Sequence, residues 1–246
     1  MISIYRKFLV KLLCDPVGTL KRLVYKLSIE PRRYRTEGDY DAMRYWDDRF
    51  ARYGASLRAV GDEGLSEERN ASQYAQAAEV FENVLRQVHR GDFSQSRVLE
   101  IGPGSGFYTA LLWNWGVRRY LGVDITDRFF PLLQQQHPGF DFLRADVTQD
   151  PLPGAFDLVI MIDVIEHIVT EEKLERALRS LDAALVPGGL LVIAPVMPVS
   201  GRHLFYVRFW SKEELQTYLP GFQFVSEVPF RDGSLAVLRK PGPQSQ

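Results

Sequence analysis

The sequence has little cysteine and no long apolar run. Cys14 is the one cysteine among 246 residues, which excludes a disulfide within the chain and is typical of a reducing compartment. No stretch approaches the roughly 20 consecutive apolar residues that a membrane-spanning helix needs. Lys7, Lys11 and Asp15 interrupt the first apolar run, which does not fit a secretory signal. We therefore expect a cytoplasmic protein, and peripheral contact with a membrane stays open.

Charge of one sign is concentrated at the start of the chain. Residues 1–36 contain nine Lys or Arg and two acidic residues, a net charge of +7. The remaining residues contain 21 basic and 29 acidic side chains, a net charge of −8. A basic arm on an acidic body contacts either an anionic partner or the body itself. Two interpretations remain open: attachment to an anionic membrane surface, or a helical lid packed on the rest of the chain.

The spacing of apolar residues divides the chain into segments. Two short basic amphipathic helices are predicted in the arm, one on Ile4, Phe8 and Leu12 and one after Asp15-Pro16 on Val17, Leu20, Val24 and Leu27. Pro31 and Arg32–Arg35 are interpreted as a linker. We predict a basic amphipathic arm over 1–36, a helical cap over 37–92, an α/β domain over 93–240 and a frayed tail over 241–246. Trp46, Phe50 and Tyr53 are interpreted as core of the cap rather than as substrate contacts.

From residue 97 onwards, short apolar runs alternate with helical patterns. The predicted strands are 98–101, 120–123, 140–143, 158–162 and 190–194, followed by 222–228 and 234–238. Alternating strands and helices predict a mainly parallel sheet with helices on both faces. Only Pro229–Gly233 separates the last two strands, too short for a parallel crossover, so this pair is predicted to be an antiparallel hairpin.

A glycine-rich turn follows the first predicted strand, in Val98-Leu99-Glu100-Ile101-Gly102-Pro103-Gly104-Ser105-Gly106. Such turns let the backbone approach a ligand closely and direct free N–H groups at it. The spacing is G-x-G-x-G, and Phe107 stands where the dinucleotide fingerprint G-x-G-x-x-G has its third glycine. Nicotinamide dinucleotide binding is therefore disfavoured.

Two acidic residues follow the next predicted strands. Asp124 lies 22 residues beyond Gly102, where a carboxylate can accept hydrogen bonds from both hydroxyls of a ribose; its alternative role is to cap a helix. Asp146 follows the third strand and can accept a bond from an adenine amino group; its alternative is an exposed loop acid.

Five segments, VLEIGPGSG, GVD, RAD, FDLVIMIDVIEH and LVPGGLLVIAP, follow one another between Arg97 and Leu238. This ordered set resembles the class I S-adenosylmethionine-dependent methyltransferases, and DVIEH resembles the branch that includes ubiquinone-biosynthesis O-methyltransferases and many small-molecule enzymes. The resemblance implies a Rossmann-like seven-stranded sheet of order 3-2-1-4-5-7-6 with strand 7 antiparallel, and S-adenosylmethionine as cofactor. It also implies a cofactor-binding set: Glu100, Gly102, Pro103, Gly104, Gly106, Asp124, Ile125, Asp146, Val147 and Asp163.

The resemblance assigns parts of the cofactor to these residues. Glu100 and the backbone of Gly102–Gly104 would hold the methionine part, and Asp124 the ribose. Asp146 with Val147 would flank the adenine, and Asp163 would line the sulfonium and substrate side.

Methyl transfer from a sulfonium is an in-line displacement, so the protein mainly positions and desolvates the reactants. A base helps where the acceptor is a hydroxyl. Our candidates are His167, His203 and Glu166, and a hydrogen-bonded structural role is the alternative for each histidine. The expected acceptor is an oxygen of a small or lipid-linked molecule, with nitrogen left open.

Two other functions remain as alternatives. Glu166, His167 and His203 resemble part of the metal-binding set of small-RNA 2′-O-methyltransferases, although the acidic body disfavours nucleic acid and we predict no metal. The second alternative is a cofactor-binding regulator or scaffold without turnover. The acceptor and the oligomeric state are not predicted.

Overall fold

The computed structural model describes residues 12–13, 15–89 and 91–242. Apart from Leu12, the first predicted arm helix lies outside the described residues, as do the last four residues of the predicted tail. The α-helices are α1 (Pro16–Val24), α2 (Glu30–Tyr34), α3 (Ala42–Tyr53), α4 (Leu57–Val60), α5 (Glu67–Val88), α6 (Phe107–Asn114), α7 (Phe130–Gln136), α8 (Glu171–Ala184) and α9 (Lys212–Tyr218). The strands are β1 (Arg97–Ile101), β2 (Arg119–Asp124), β3 (Asp141–Arg144), β4 (Phe156–Ile162), β5 (Leu185–Val196), β6 (Gly201–Leu204), β7 (Val207–Phe209), β8 (Gln223–Phe230) and β9 (Gly233–Arg239).

Seven of these strands form one sheet in the order β3-β2-β1-β4-β5-β9-β8. The pairs among β1 to β5 are parallel, whereas β9 is antiparallel to both β5 and β8. When only the seven strands of this sheet are numbered along the chain, their spatial order is 3-2-1-4-5-7-6. The predicted strand order is therefore confirmed. The numbering differs because β6 and β7 form a separate two-stranded hairpin, which we did not predict.

Helices cover both faces of the sheet because strand side chains alternate between the faces. On one face, Leu99, Val159 and Leu191 pack in a buried cluster with the α8 residues Leu174 and Leu178. On the other face, the strands pack against α5 and α6, with this buried cluster: Val98, Leu158, Val192, Phe81, Leu85 and Leu112. The ligand-binding edge of such a sheet is the one at the carboxyl ends of its parallel strands.

A helical cap formed by α3, α4 and α5 lies over this edge. Asp41 caps α3 by accepting a hydrogen bond from the Arg44 N–H, and Ser66 caps α5 in the same way. The buried guanidinium of Arg49 donates to the carbonyl oxygens of Ala59 at 2.7 Å and Gly61 at 2.6 Å. This side chain satisfies backbone groups of the α4 turn that would otherwise be buried without partners.

The arm packs against the cap through its polar side. Asp15 caps α1 and Pro16 occupies its first turn, as predicted. The predicted linker is wrong: α1 continues through a π-helical turn at Tyr25–Ile29 into α2, which contains Pro31 in its first turn. Proline is compatible with that position because the N–H it lacks has no partner within the first turn.

Within the described residues, no helix combines the length and apolar character needed to cross a membrane.

Candidate functional site

The carboxyl ends of β1, β2 and β4 open into one large cleft beneath the cap. Backbone hydrogen bonds continue past the strand ends and hold the following turns in place: the Gly102 N–H donates to the Val123 carbonyl at 2.7 Å, and the Asp163 N–H donates to the Ala194 carbonyl at 2.8 Å. The turns that follow β1, β2, β3 and β4 line this cleft together with residues of the cap.

The glycine turn forms the floor of the cleft. Gly102 and Gly104 have φ angles of +69° and +51°, in the region that favours glycine. A Cβ atom on Gly102 would lie 2.3 Å from Cγ2 of Val164, and one on Gly104 would lie 2.7 Å from Cγ1 of Val60. Both positions therefore need glycine, for backbone conformation and because neighbouring side chains approach so closely.

Asp124 lies in the wall of this cleft. Its carboxylate accepts the Thr126 N–H at 3.0 Å and the Gly104 N–H at 3.4 Å, so it also holds the turns after β1 and β2. It is not the helix cap that we considered as an alternative, because α7 begins at Phe130 with Phe129 at its N-cap position. Burial raises the pKa of Asp124 to about 6, and the backbone N–H donors only partly offset this rise. Ligand hydroxyls that donate to the carboxylate would favour its ionised form.

This raised pKa predicts pH-dependent binding of S-adenosylhomocysteine. If the ribose hydroxyls donate to ionised Asp124, the dissociation constant should be constant above about pH 7 and rise as the pH falls through about 6, by up to about tenfold per unit. Calorimetric titrations between about pH 5 and 8 measure this. Asp124→Asn, which cannot ionise, should give weak binding without that dependence. A flat profile for the native chain would contradict the assignment.

The structure places most of the predicted cofactor-binding residues in the cleft wall, namely Gly102, Pro103, Gly104, Asp124, Ile125, Asp146, Val147 and Asp163. Asp146 is not a free loop acid, since its carboxylate accepts the Thr148 N–H at 2.9 Å and the Thr148 hydroxyl at 2.7 Å. The wall thus combines the apolar residues Ile125 and Val147 with the acidic residues Asp124 and Asp146.

Glu100 and Gly106 do not contribute to the cleft wall. The buried Glu100 carboxylate points to the α6 side of the sheet and accepts hydrogen bonds from the hydroxyls of Thr109 and Tyr120, and burial raises its pKa to about 7. Gly106, with a φ of +88°, begins α6, and a Cβ there would collide with Leu133. In the described structure, both residues therefore stabilise the glycine turn from the side away from the cleft.

His167 lines the cleft on the side facing the cap. Its Nδ1 lies 3.0 Å from the backbone carbonyl oxygen of Tyr206. A carbonyl only accepts, so we assign the ring proton to Nδ1, and Nε2 is then the proton acceptor of the neutral ring. Burial lowers the pKa of His167 to about 4, so the ring is neutral at physiological pH.

The turn that carries His167 is fixed by two aromatic side chains. The Tyr40 hydroxyl donates to the His167 carbonyl at 3.1 Å, and Nε1 of the fully buried Trp210 donates to the carbonyls of Ile165 and Ile168 at 3.1 and 2.9 Å. The Trp46 ring packs against the His167 imidazole in a T-shaped arrangement, with 4.8 Å between the two ring centroids. These contacts hold the imidazole in one orientation.

Replacing Trp210 with phenylalanine tests this support. The ring is kept, but two buried carbonyls lose their donor, so the free energy of unfolding should fall by about 1–3 kcal/mol. Chemical denaturation measures the change. Trp113→Phe is the matched control, because the Trp113 ring packs against His137 and Phe140 and should lose about 1 kcal/mol or less. Equal losses in the two variants would show that the Trp210 N–H contributes nothing.

The two other candidate bases do not line the cleft. His203 lies on β6, exposed, with its ring stacked on Phe209. Glu166 is adjacent to His167 but outside the wall, and burial together with the neighbouring Asp163 raises its pKa well above the ordinary value. Asp163 itself forms an ion pair with Arg231 from the β8–β9 turn. The described part of the chain contains no group of three His, Cys, Asp or Glu side chains arranged to bind a metal ion.

Sequence reasoning missed the side of the cleft that the cap provides. Tyr40, Trp46, Phe50 and Tyr74 line it. Lys173 of α8 also lines the cleft and pairs with Asp39 at 2.7 Å. Trp46 and Phe50, which we interpreted as cap core only, thus also face the cleft. Their helical spacing predicted a buried face but gave no signal of what that face covers.

Residues 99–193 match the family model described as methyltransferase domain. An uncharacterized methyltransferase of Oceanobacillus iheyensis is 28% identical over 127 residues, which cover 51% of this chain and 58% of that protein. The malonyl-[acyl-carrier protein] O-methyltransferase of Chlorobium luteolum is 33% identical over 129 residues, covering 50% of this chain and 47% of that protein. The chain thus spans less than two thirds of the length of these relatives.

A solved structure, the DhpI complex with S-adenosylhomocysteine, superposes with a TM-score of 0.59 at 22% identity, covering 82% of this chain and 96% of that chain. At this identity the likeness concerns the fold alone.

Proposed function

We propose that this chain contains a class I S-adenosylmethionine-dependent methyltransferase domain and that it transfers a methyl group from this cofactor to an oxygen of a small or lipid-linked acceptor. One observation carries the proposal: His167, neutral and with its Nδ1 proton assigned to the Tyr206 carbonyl, shares a single cleft with Asp124 and the glycine turn. We keep the boundaries 1–36, 37–92 and 93–240 as the proposed division into arm, cap and methyltransferase domain.

The cofactor supplies an activated methyl group on a sulfonium, and the protein positions and desolvates the reactants. We propose that Gly102–Gly104 face the methionine part, that Asp124 accepts the ribose hydroxyls, and that Asp146 and Val147 flank the adenine. Asp163 is proposed to line the sulfonium side, where Arg231 fixes its carboxylate.

The cap side of the cleft is proposed to hold the acceptor. Its wall of Tyr40, Trp46 and Phe50 is aromatic, which suits an acceptor with an apolar ring or chain. Nε2 of His167 is proposed to take the proton of an acceptor hydroxyl. Oxygen is proposed because a hydroxyl, unlike a neutral amine, gains reactivity from losing that proton to a base.

Transfer of radiolabel from S-adenosylmethionine labelled in its methyl group tests the function. We would incubate the native chain with matched panels of hydroxylated and amino-substituted aromatic and isoprenoid compounds. Labelled, base-stable ether products formed from the hydroxylated panel support the proposal. Label in amines alone would move the acceptor to nitrogen. Binding of cofactor without any labelled product would favour the non-catalytic alternative.

A further inference from the structure

The amphipathic arm presents its apolar side to solvent. Four residues at spacings of three and four form this apolar stripe: Val17, Leu20, Val24 and Leu27. They range from 52% exposed for Val24 to 63% exposed for Val17. An amphipathic helix on a globular protein normally turns such a stripe towards the core, so the orientation is reversed here.

Contacts on the opposite side of the arm keep it in this orientation. Lys26 pairs with the buried Glu63 at 2.9 Å and donates to the Tyr206 hydroxyl at 3.0 Å. Arg52 of α3 donates to the Tyr25 hydroxyl at 2.9 Å, and Thr19 is buried. The polar side of the arm is therefore the side that docks on the body, and the stripe is left on the outer surface.

Basic side chains are also exposed on the arm. Lys21, Arg32 and Arg35 are exposed, whereas Arg33 pairs with Asp48 at 2.8 Å. Of the two acidic residues in 1–36, Asp15 pairs with Arg22 at 3.1 Å and Glu30 is buried. The outer surface thus combines exposed apolar side chains with uncancelled positive charge, the combination by which interfacial helices bind anionic bilayers.

We propose that the apolar stripe of the arm is a docking surface for an anionic lipid bilayer, in which the helix lies parallel to the membrane plane. The stripe enters the boundary between headgroups and acyl chains, while Lys21 and Arg32 meet lipid phosphates. The polar side stays bound to the cap, so the catalytic body is held at the membrane without a spanning segment. Docking of this kind does not depend on methyl transfer.

Co-sedimentation of the full 246-residue chain with vesicles tests the proposal. The probes are vesicles of equal parts phosphatidylglycerol and phosphatidylcholine, compared with pure phosphatidylcholine. The native chain should bind the anionic vesicles at least about tenfold more strongly, and binding should weaken several-fold between about 0.05 M and 0.5 M NaCl. Failure of the native chain to sediment with the anionic vesicles would overturn the proposal.

Matched variants test whether vesicle binding depends on the apolar stripe or on exposed apolar side chains in general. Leu20→Gln with Leu27→Gln should lower the partition coefficient by about tenfold or more. Val199→Gln is the control, since Val199 is 76% exposed in the turn between β5 and β6, and it should change binding less than about twofold. An equal loss of vesicle binding in the double variant and the Val199 control, or no loss in the double variant, contradicts the proposal.

A second copy of this chain could cover the stripe instead. Sedimentation velocity would then show a native dimer that the double variant converts to monomer, and this result would overturn membrane docking. Calorimetry with S-adenosylhomocysteine on the same double variant should match the native chain. This separates failure of the docking surface from failure of the proposed activity.

Discussion

Asp124→Ala is expected to weaken binding of S-adenosylhomocysteine by at least about 100-fold. Two ribose hydroxyls donating to one ionised carboxylate are worth about 1.5–3 kcal/mol each, and each 1.4 kcal/mol is about tenfold in affinity. The carboxylate is already held in position by the N–H groups of Thr126 and Gly104, so little of this energy is lost in ordering it. Isothermal titration calorimetry of the native and variant chains gives the ratio directly.

Asp127→Ala is the matched control for this experiment. Asp127 lies three residues further along the same turn and is exposed, with a long ion pair of 3.6 Å to Arg144, so its loss should change the affinity less than about threefold. Thermal unfolding of the variants shows whether the fold survives. Because Asp124 also accepts the N–H groups of Thr126 and Gly104, its removal is expected to lower the free energy of unfolding by about 0.5–2 kcal/mol, which leaves the variant folded for the titration. Similar affinity losses in both variants would mean that Asp124 does not contact the ligand.

His167→Gln is expected to lower kcat by about 10²- to 10⁴-fold on a hydroxyl acceptor, the range that loss of a general base typically gives. Glutamine can still donate to the Tyr206 carbonyl, so the turn should keep its shape. The dissociation constant of S-adenosylhomocysteine should change less than about threefold, because in our assignment His167 faces the acceptor side. Steady-state kinetics and calorimetry on the same samples separate the two effects.

The pH dependence of kcat tests the lowered pKa of His167. Its pKa of about 4 means that the ring is neutral above this pH and gains a proton only below it. With saturating cofactor, kcat should therefore not show the fall near pH 6.5 that an unperturbed histidine base gives. His203→Gln should leave kcat within about twofold, since His203 is exposed and stacks on Phe209. An equal loss of kcat in the His203 variant would contradict the assignment.

Local patterns were enough to predict a mainly parallel sheet and its ligand-binding edge. The alternation of strands and helices indicated the parallel strands, the short loop before β9 indicated the antiparallel hairpin, and the glycine spacing together with Asp124 marked where the cleft opens. Each of these signals depends on residues within about 25 positions of one another, and parallel strands bring their carboxyl ends together without further information. The order of the strands was implied by the resemblance to the methyltransferase family.

The features that the sequence did not predict depend on which face of a helix or strand packs against which other part of the structure. Glu100 was expected to contact the methionine part, but it shares a strand face with Val98, and that face packs against α6 and Tyr120. The contribution of Trp46 and Phe50 to the cleft depends on how α3 crosses the sheet edge. The spacing in the arm predicted α1 but not that its polar side would dock, because that follows from the distant partners Glu63 and Tyr206.

The central claim is that this cleft binds the methyl-donor cofactor rather than a dinucleotide. The most direct measurement is calorimetric titration of the native chain at about pH 7.5 with S-adenosylhomocysteine and, separately, with NAD⁺. We expect one S-adenosylhomocysteine per chain with a dissociation constant in the micromolar range or below, and no heat of binding with NAD⁺. Binding of NAD⁺ without binding of S-adenosylhomocysteine would contradict the account.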